Sequence, residues 1–300
     1  MTSPDRTVTP PDLLTTTAAD GVLLYSGHFE RIVDGLRASL TALGGLDDAR
    51  SLRTPPVIAR SVIEQSGYVE TFPNLLGTVH RFDGTSEEWT DRVTSSGPGS
   101  SWHRLLEVSD LVLLPAGCYC LYPLYQDSAV TSACEHSVEA TCFRQEGSNE
   151  PGRFRSFRMR EFVRIGAAED CVVWRDGWLE RAGDWLTGLG LTPERELAND
   201  PFFGTVHRMM SATQRQQELK WELSLEVAPG QRQAVASFNY HKDHFGDLFR
   251  ITDAAGTPRH TACAAFGYER LALALVHRHG PKPGQWPASL RTRLGIGAAT

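Results

Sequence analysis

The chain has 300 residues, 41% apolar and 22% charged, the balance of a globular protein that can bury a sizeable core. Thirty basic side chains against 36 acidic ones leave a net charge of −6, which argues against binding nucleic acid by bulk positive charge. There is no run of about 18 apolar residues to span a membrane, and MTSPDRTVTPPDLL lacks the apolar centre of a secretion signal, so the expected location is the cytoplasm.

Residues 1–20 open rich in Pro, Thr and Ser and predict a flexible tail. Over 28–45, Phe29, Ile32, Val33, Leu36, Leu40 and Leu43 recur at helical spacing, and a Gly pair ends the pattern. RTPPVIARSVIEQSGYVETFPN predicts a short Pro-opened helix, then an extended run stopping at Pro73. Residues 110–125, broken by Pro115 and Pro123, predict a buried strand with an irregular entry. VEATCFRQE and FRSFRMREFVRIG predict two strands joined by the polar loop GSNEPGR. Amphipathic helix follows within 175–198, then a break at Pro201, a strand over 219–228, and strand with polar loop over 237–251. HTACAAFGYERLALALVHRHG enters a helix that ends at Gly280, and 286–300 predict a second tail. Strands that reverse, with few βαβ units, predict an α+β fold around an antiparallel sheet, all in one domain over 21–285.

Six cysteines at 118, 120, 134, 142, 171 and 263 are too few for a disulfide framework in a chain this long, so they predict free thiols or metal ligands. On a strand, side chains alternate, so Arg144 and Glu146 share one face, as do Phe157, Met159 and Glu161 on the returning strand. By themselves these residues would be ordinary surface ion pairs, Arg270 would pair with Glu269, and Cys118, Glu161 and Cys263 would be core positions.

CFRQEG with its returning strand resembles motif 2 of class II aminoacyl-tRNA synthetases, Phe-Arg-x-Glu. AFGYERLALAL resembles motif 3, Gly-x-Glu-Arg ahead of a buried helix. The run ending at Pro73 resembles motif 1, the dimer-forming element of that class. PAGCYCLYP, SFRMREFVRIG, NDPFFG, LKWEL, SFNYHKDHFG and TACAAFGYER together resemble the amino acid:[carrier protein] ligases over residues 50–280. That family is related to the catalytic domain of the atypical, zinc-dependent seryl-tRNA synthetases.

The resemblance implies a class II synthetase-like antiparallel sheet flanked by helices, with a helical insertion around 175–200. It implies that ATP activates a small α-amino acid, glycine or alanine, as the aminoacyl-adenylate. A phosphopantetheinylated carrier protein then accepts the aminoacyl group on its thiol. Arg144 would answer the charge on the α-phosphate, Arg270 would clamp the γ-phosphate, Glu146 would hold the adenine amine, and Phe157 would stack on adenine. Phe157 and Glu161 lie four strand residues apart, about 13 Å, which suits the two ends of one adenylate. Glu222, or Glu226 on the same face, would position ATP-bound Mg²⁺, and Asn239 would reach the ligand. The implied Zn²⁺ ligands are Cys118, Glu161 and Cys263, with Cys120 competing with Cys118, and an open position for the substrate amine. Arg175, Arg181 and Arg195 are the expected patch for an acidic carrier protein. A homodimer is expected and tRNA is not. The competing expectations are a truncated seryl-tRNA synthetase-like enzyme charging tRNA or another acceptor, and a non-catalytic synthetase-like binding subunit.

Overall fold

The computed structural model describes residues 13–96, 102–203 and 207–297. In chain order these form β1 (Leu14–Thr16), β2 (Leu23–Tyr25), α1 (Gly27–Gly44), β3 (Ser51–Arg53) and β4 (Val57–Ala59). Two short helices, α2 (Arg60–Gln65) and α3 (Tyr68–Thr71), precede β5 (Thr78–Arg81), α4 (Ser86–Ser96) and β6 (Glu107–Leu113). The long strands β7 (Cys134–Phe143) and β8 (Ser156–Gly166) lead to α5 (Ala168–Gly188), β9 (Glu194–Leu197) and α6 (His207–Gln216). The last described elements are β10 (Lys220–Ala228), β11 (Gln231–Lys242), α7 (His244–Leu248), β12 (His260–Gly267), α8 (Tyr268–His279) and α9 (Ala288–Leu294).

Among the described residues the main sheet has seven strands in the order β3-β7-β8-β12-β11-β10-β9. Only the β3–β7 pair is parallel, so the expected α+β architecture is the one observed. A smaller antiparallel sheet, β4-β6-β5, lies beside it. One face of the main sheet is apolar at alternate positions (Leu223, Leu225, Phe238, Phe266, Phe162) and is covered by α1, α5 and α8. Trp178 of α5 stacks on Phe162 at 4.2 Å and meets Phe266 edge-on at 5.9 Å. Each such side chain contributes roughly 1.5–3 kcal/mol by leaving water, which makes this layer the main stabilising core.

Local chemistry sets the helix ends. Ser26 accepts a hydrogen bond from the Phe29 N–H at 3.2 Å, capping α1, and Gly45 at φ +64° lets the chain leave it. Along α1 the buried residues Phe29, Ile32, Val33, Leu36 and Leu40 are those the periodicity picked out. No described helix is long and apolar enough to cross a membrane.

Several expectations need correction. The predicted tail over 1–12 lies outside the described residues, but within 13–20 the strand β1 pairs with β2, and Leu13 and Leu14 are buried. Similarly, 286–297 contains α9, with Trp286, Leu290 and Leu294 buried. Elements of three and seven residues carry too few apolar positions for a period to show. After α2 the chain turns through Gly67 at φ +73° into α3 rather than extending. Residues 117–125 form two 3₁₀ turns, not a strand, and 244–248 are helical, not loop. The expected helical insertion around 175–200 is instead integral to the core: α5 buries Trp178, Leu179, Ala182, Trp185 and Leu186, and β9 pairs with β10.

Candidate active site

The opposite face of the main sheet is polar, and strand alternation decides which side chains reach it. Phe157, Met159 and Glu161 project from β8. Cross-strand pairing sets Ala265 opposite Glu161, Cys263 opposite Val163 and Asn239 opposite Cys263. It also sets Glu222 opposite Ser237 and Lys220 opposite Asn239. These residues line a cavity of about 450 Å³, whose wall is completed by Ser66 and Gly67, by Tyr68 and Thr71 of α3, and by Cys118 and Tyr119 of the 3₁₀ turn at 117–120.

All nine predicted site residues line this one cavity. At one end the Arg144 guanidinium lies 5.4 Å from the centre of the Phe157 ring. Glu146 follows Arg144 in the loop beyond β7, and both face the cavity although neither lies within the strand itself. Arg270, in the first turn of α8, donates from Nε to the Gly152 carbonyl and from a terminal nitrogen to the Ala234 carbonyl, both at 2.8 Å. Burial and the neighbouring Arg144 bring its pKa down to about 10, so it stays charged at neutral pH. Glu269 is not its partner; that carboxylate binds Arg158 at 2.7 Å. Glu222 accepts an ion pair from Lys220 at 3.1 Å inside the cavity. Glu226 lies outside it, exposed and held by the Gly230 N–H at 2.7 Å.

At the other end, Glu161 is 1% exposed and accepts from the Gly117 N–H and, at 3.2 Å, from the Cys118 N–H. The 3₁₀ turn thus presents Cys118 and fixes the carboxylate with the same two amides. Burial raises the Glu161 pKa even so. Cys263 accepts from the Asn239 amide at 3.3 Å and lies 3.6 Å from His241 Nε2. Burial, then Glu161, pushes its thiol up to about 12. The Cys118 thiol is raised well above the usual range by burial, with Glu161 and Cys263 adding to it. Cys120 packs into a neighbouring apolar cluster and does not line the cavity, because a 3₁₀ turn points residues two apart in different directions.

Two buried thiols, both pushed up by burial and by the Glu161 carboxylate, together with that carboxylate form a donor set of the kind zinc prefers, and a divalent cation would offset the cost of their negative charge. They fit zinc in kind. Their side chains are not drawn into a ligating cluster: among the described residues, no three His, Cys, Asp or Glu side chains are grouped to hold a metal.

Sequence reasoning gave no role to three further features of the site. Lys220 is 9% exposed and bridges Asp200 at 2.7 Å to Glu222, while Asp200 also accepts from Gln214 at 2.7 Å. Both residues sit in quoted segments, NDPFFG and LKWEL, and alternation from Glu222 already put Lys220 on the cavity face. His241 continues the face of Asn239 and hydrogen-bonds Thr261 Oγ1 at 3.0 Å. Tyr119 reaches the cavity from the misread 117–120 turn. Arg175 drops out of the expected docking patch: it is 5% exposed and donates to the Glu218 carbonyl at 2.7 Å, while Arg181 and Arg195 are exposed. Arg181 lies over Trp178 at 4.1 Å, and Arg195 over Trp221 at 4.5 Å.

No family model matches the chain. The seryl-tRNA synthetase of Methanopyrus kandleri, in a crystal structure with A. aeolicus tRNASec, superposes with a TM-score of 0.78 at 20% identity, over 94% of this chain and 58% of that one. The Pyrococcus horikoshii seryl-tRNA synthetase complexed with ATP superposes with a TM-score of 0.65 at 14% identity, over 94% and 60%. The fold is therefore that of a class II aminoacyl-tRNA synthetase catalytic domain. Two curated proteins of Bradyrhizobium diazoefficiens, amino acid--[acyl-carrier-protein] ligases 1 and 2, are each 42% identical. The matches span 93% and 92% of this chain and 86% and 83% of theirs. The chain belongs to the amino acid--[acyl-carrier-protein] ligase family. The type-2 serine--tRNA ligase of M. kandleri is more distant, 28% identical over 61% of this chain and 37% of its own.

Proposed function

We propose that the chain uses ATP to activate a small α-amino acid and transfers the aminoacyl group to the phosphopantetheine thiol of a carrier protein. The observation that carries this reading is the single cavity that holds both arginines at one end and the buried thiol–carboxylate set at the other. In the first step a substrate carboxylate oxygen bonds to the α-phosphorus, and the bond to pyrophosphate breaks. Arg144 neutralises charge growing on the α-phosphate, and Phe157 and Glu146 hold adenine by its face and its amine. Arg270 takes the γ-phosphate, and Glu222 carries the Mg²⁺ that accompanies ATP. Lys220 shares its charge between Asp200 and Glu222, which holds Glu222 in place.

Cys118, Glu161 and Cys263 hold Zn²⁺ in this reading. When bound, the metal supplies a coordination position for the free α-amine and so selects amino acids over plain carboxylic acids. Asn239 orients Cys263 and hydrogen-bonds the ligand. In the second step the carrier thiol sulfur bonds to the adenylate carbonyl carbon, AMP leaves, and the thiol proton passes to the departing phosphate or to water. The adenylate is already activated, so the protein needs no nucleophile of its own; proximity does most of the work. Cytoplasmic location and a homodimer built around the run ending at Pro73 complete the reading. Sedimentation as a monomer would remove the latter.

The test is intact-mass analysis of a phosphopantetheinylated carrier protein after incubation with the enzyme, ATP, Mg²⁺ and glycine or alanine. The expected product is a carrier heavier by one aminoacyl group, released by hydroxylamine, with none formed on a carrier lacking the arm. Adenylate formation with the label reaching tRNA instead would overturn the acceptor.

A further inference from the structure

The loop joining β7 to β8 bears Arg144 and Glu146 at its start and Phe157 just beyond its end, so its shape sets the ATP end of the cavity. It is held from two sides. From within, Arg270 Nε donates to the Gly152 carbonyl at 2.8 Å. From outside, the β1–β2 hairpin presses on it, although the sequence there predicts a tail. The Arg155 N–H donates to the Gly21 carbonyl at 2.7 Å, and Asn149 Nδ2 donates to Asp20 Oδ1 at 2.7 Å. Leu13 and Leu14 are buried in the same core cluster as Phe154, which roots both hairpin and loop in one layer. Gly21 sits at φ +72°, and a Cβ there would come within 3.1 Å of Arg155 N and of Gly147 Cα and carbonyl carbon. Those neighbours are backbone atoms and cannot rotate aside. Gly147 directly follows Glu146.

We propose that the β1–β2 hairpin braces the 144–155 loop for ATP, with Gly21 as the positioning residue at the point of contact. The inference rests on the ATP-dependent reading above. A loop held in shape before the nucleotide arrives loses less conformational entropy on binding it. A side chain at Gly21 must push the loop and the hairpin apart, and the left-handed φ adds strain. The displacement reaches Glu146 and Arg144 directly. Cys118, Glu161 and Cys263 lie at the far end, Glu161 about 13 Å along β8 from Phe157. The brace therefore acts on ATP and leaves the amino acid alone, a separation that general loss of stability would not produce.

The experiment compares Gly21→Val and the Asp20→Ala/Asn149→Ala double variant with the unaltered chain in amino-acid-dependent ATP–pyrophosphate exchange, alongside thermal unfolding. The expected result is a KM for ATP raised at least about fivefold, well inside the hundredfold that a misplacement of roughly 1 Å can cost, with the KM for the amino acid within about twofold. An unchanged KM for ATP in a folded Gly21→Val protein, or equal rises in both KM values, overturns the brace. Should Gly21→Val fail to fold, the double variant decides by the same criterion. No exchange by the unaltered chain would overturn the ATP reading and this inference with it. An active parent beside an unaffected variant overturns the brace alone.

Discussion

Arg144 bears most of the proposed first step, because it is the guanidinium held against Phe157 at the adenine end of the cavity. Arg144→Ala is expected to slow ATP–pyrophosphate exchange by about 10²–10³-fold, the usual cost of removing one preorganised charge stabiliser, with an unchanged thermal transition. Arg144→Lys should recover only part of the rate, since an ammonium lacks the planar fork. At the other end, Cys263→Ala should lose stoichiometric zinc and activation together, while Cys120→Ala keeps both. Metal analysis of the purified variants checks this, and a zinc-free, active Cys263→Ala protein would remove the ligand assignment. These residues were legible because motifs name them. Lys220, Asp200 and His241 were not, because their importance lies in what they touch: an ion pair from β10 to the loop before α6 and a thiol on the neighbouring strand.

At the level of elements, alternation was a reliable guide wherever a strand was long. It placed Phe157 and Glu161 on one face of β8, and the observed pairing of Glu161 with Ala265 sets Cys263, two residues away on β12, on the same side. It failed at 117–120, where a 3₁₀ turn follows Pro115: period two does not apply, and Cys118 parts from Cys120. The two ends of the chain were misread for another reason. β1 and α9 are stable because of what they pack on, which a local window cannot see. α9 lays Leu290 and Leu294 into the core, with Leu294 against Gly35 of α1. Leu294→Ala should therefore cost about 2–5 kcal/mol in denaturant unfolding, since it empties a fully packed position. Its KM values should stay unchanged, because the substitution lies on the helix side of the sheet. A surface tail would give a change near zero.

Across the whole molecule, the sheet separates stability from chemistry. Three helices bury its apolar face, and the cavity over the other face gathers the ionisable groups that folding alone would avoid: buried Glu161, Cys263 and Lys220 from strands and Cys118 from the 3₁₀ turn. Such groups are costly to bury and persist where a site needs them. Their coexistence with two arginines in one cavity is the central claim, a site that joins a nucleotide to an amine-bearing acid. Amino-acid-dependent ATP–pyrophosphate exchange across the twenty amino acids, on zinc-loaded and on chelated protein, tests it most directly. The account predicts exchange with one or two small amino acids, abolished by chelation and restored by zinc. Exchange that persists undiminished without zinc would contradict the metal assignment, and silence across the panel with zinc bound would contradict activation of a proteinogenic amino acid.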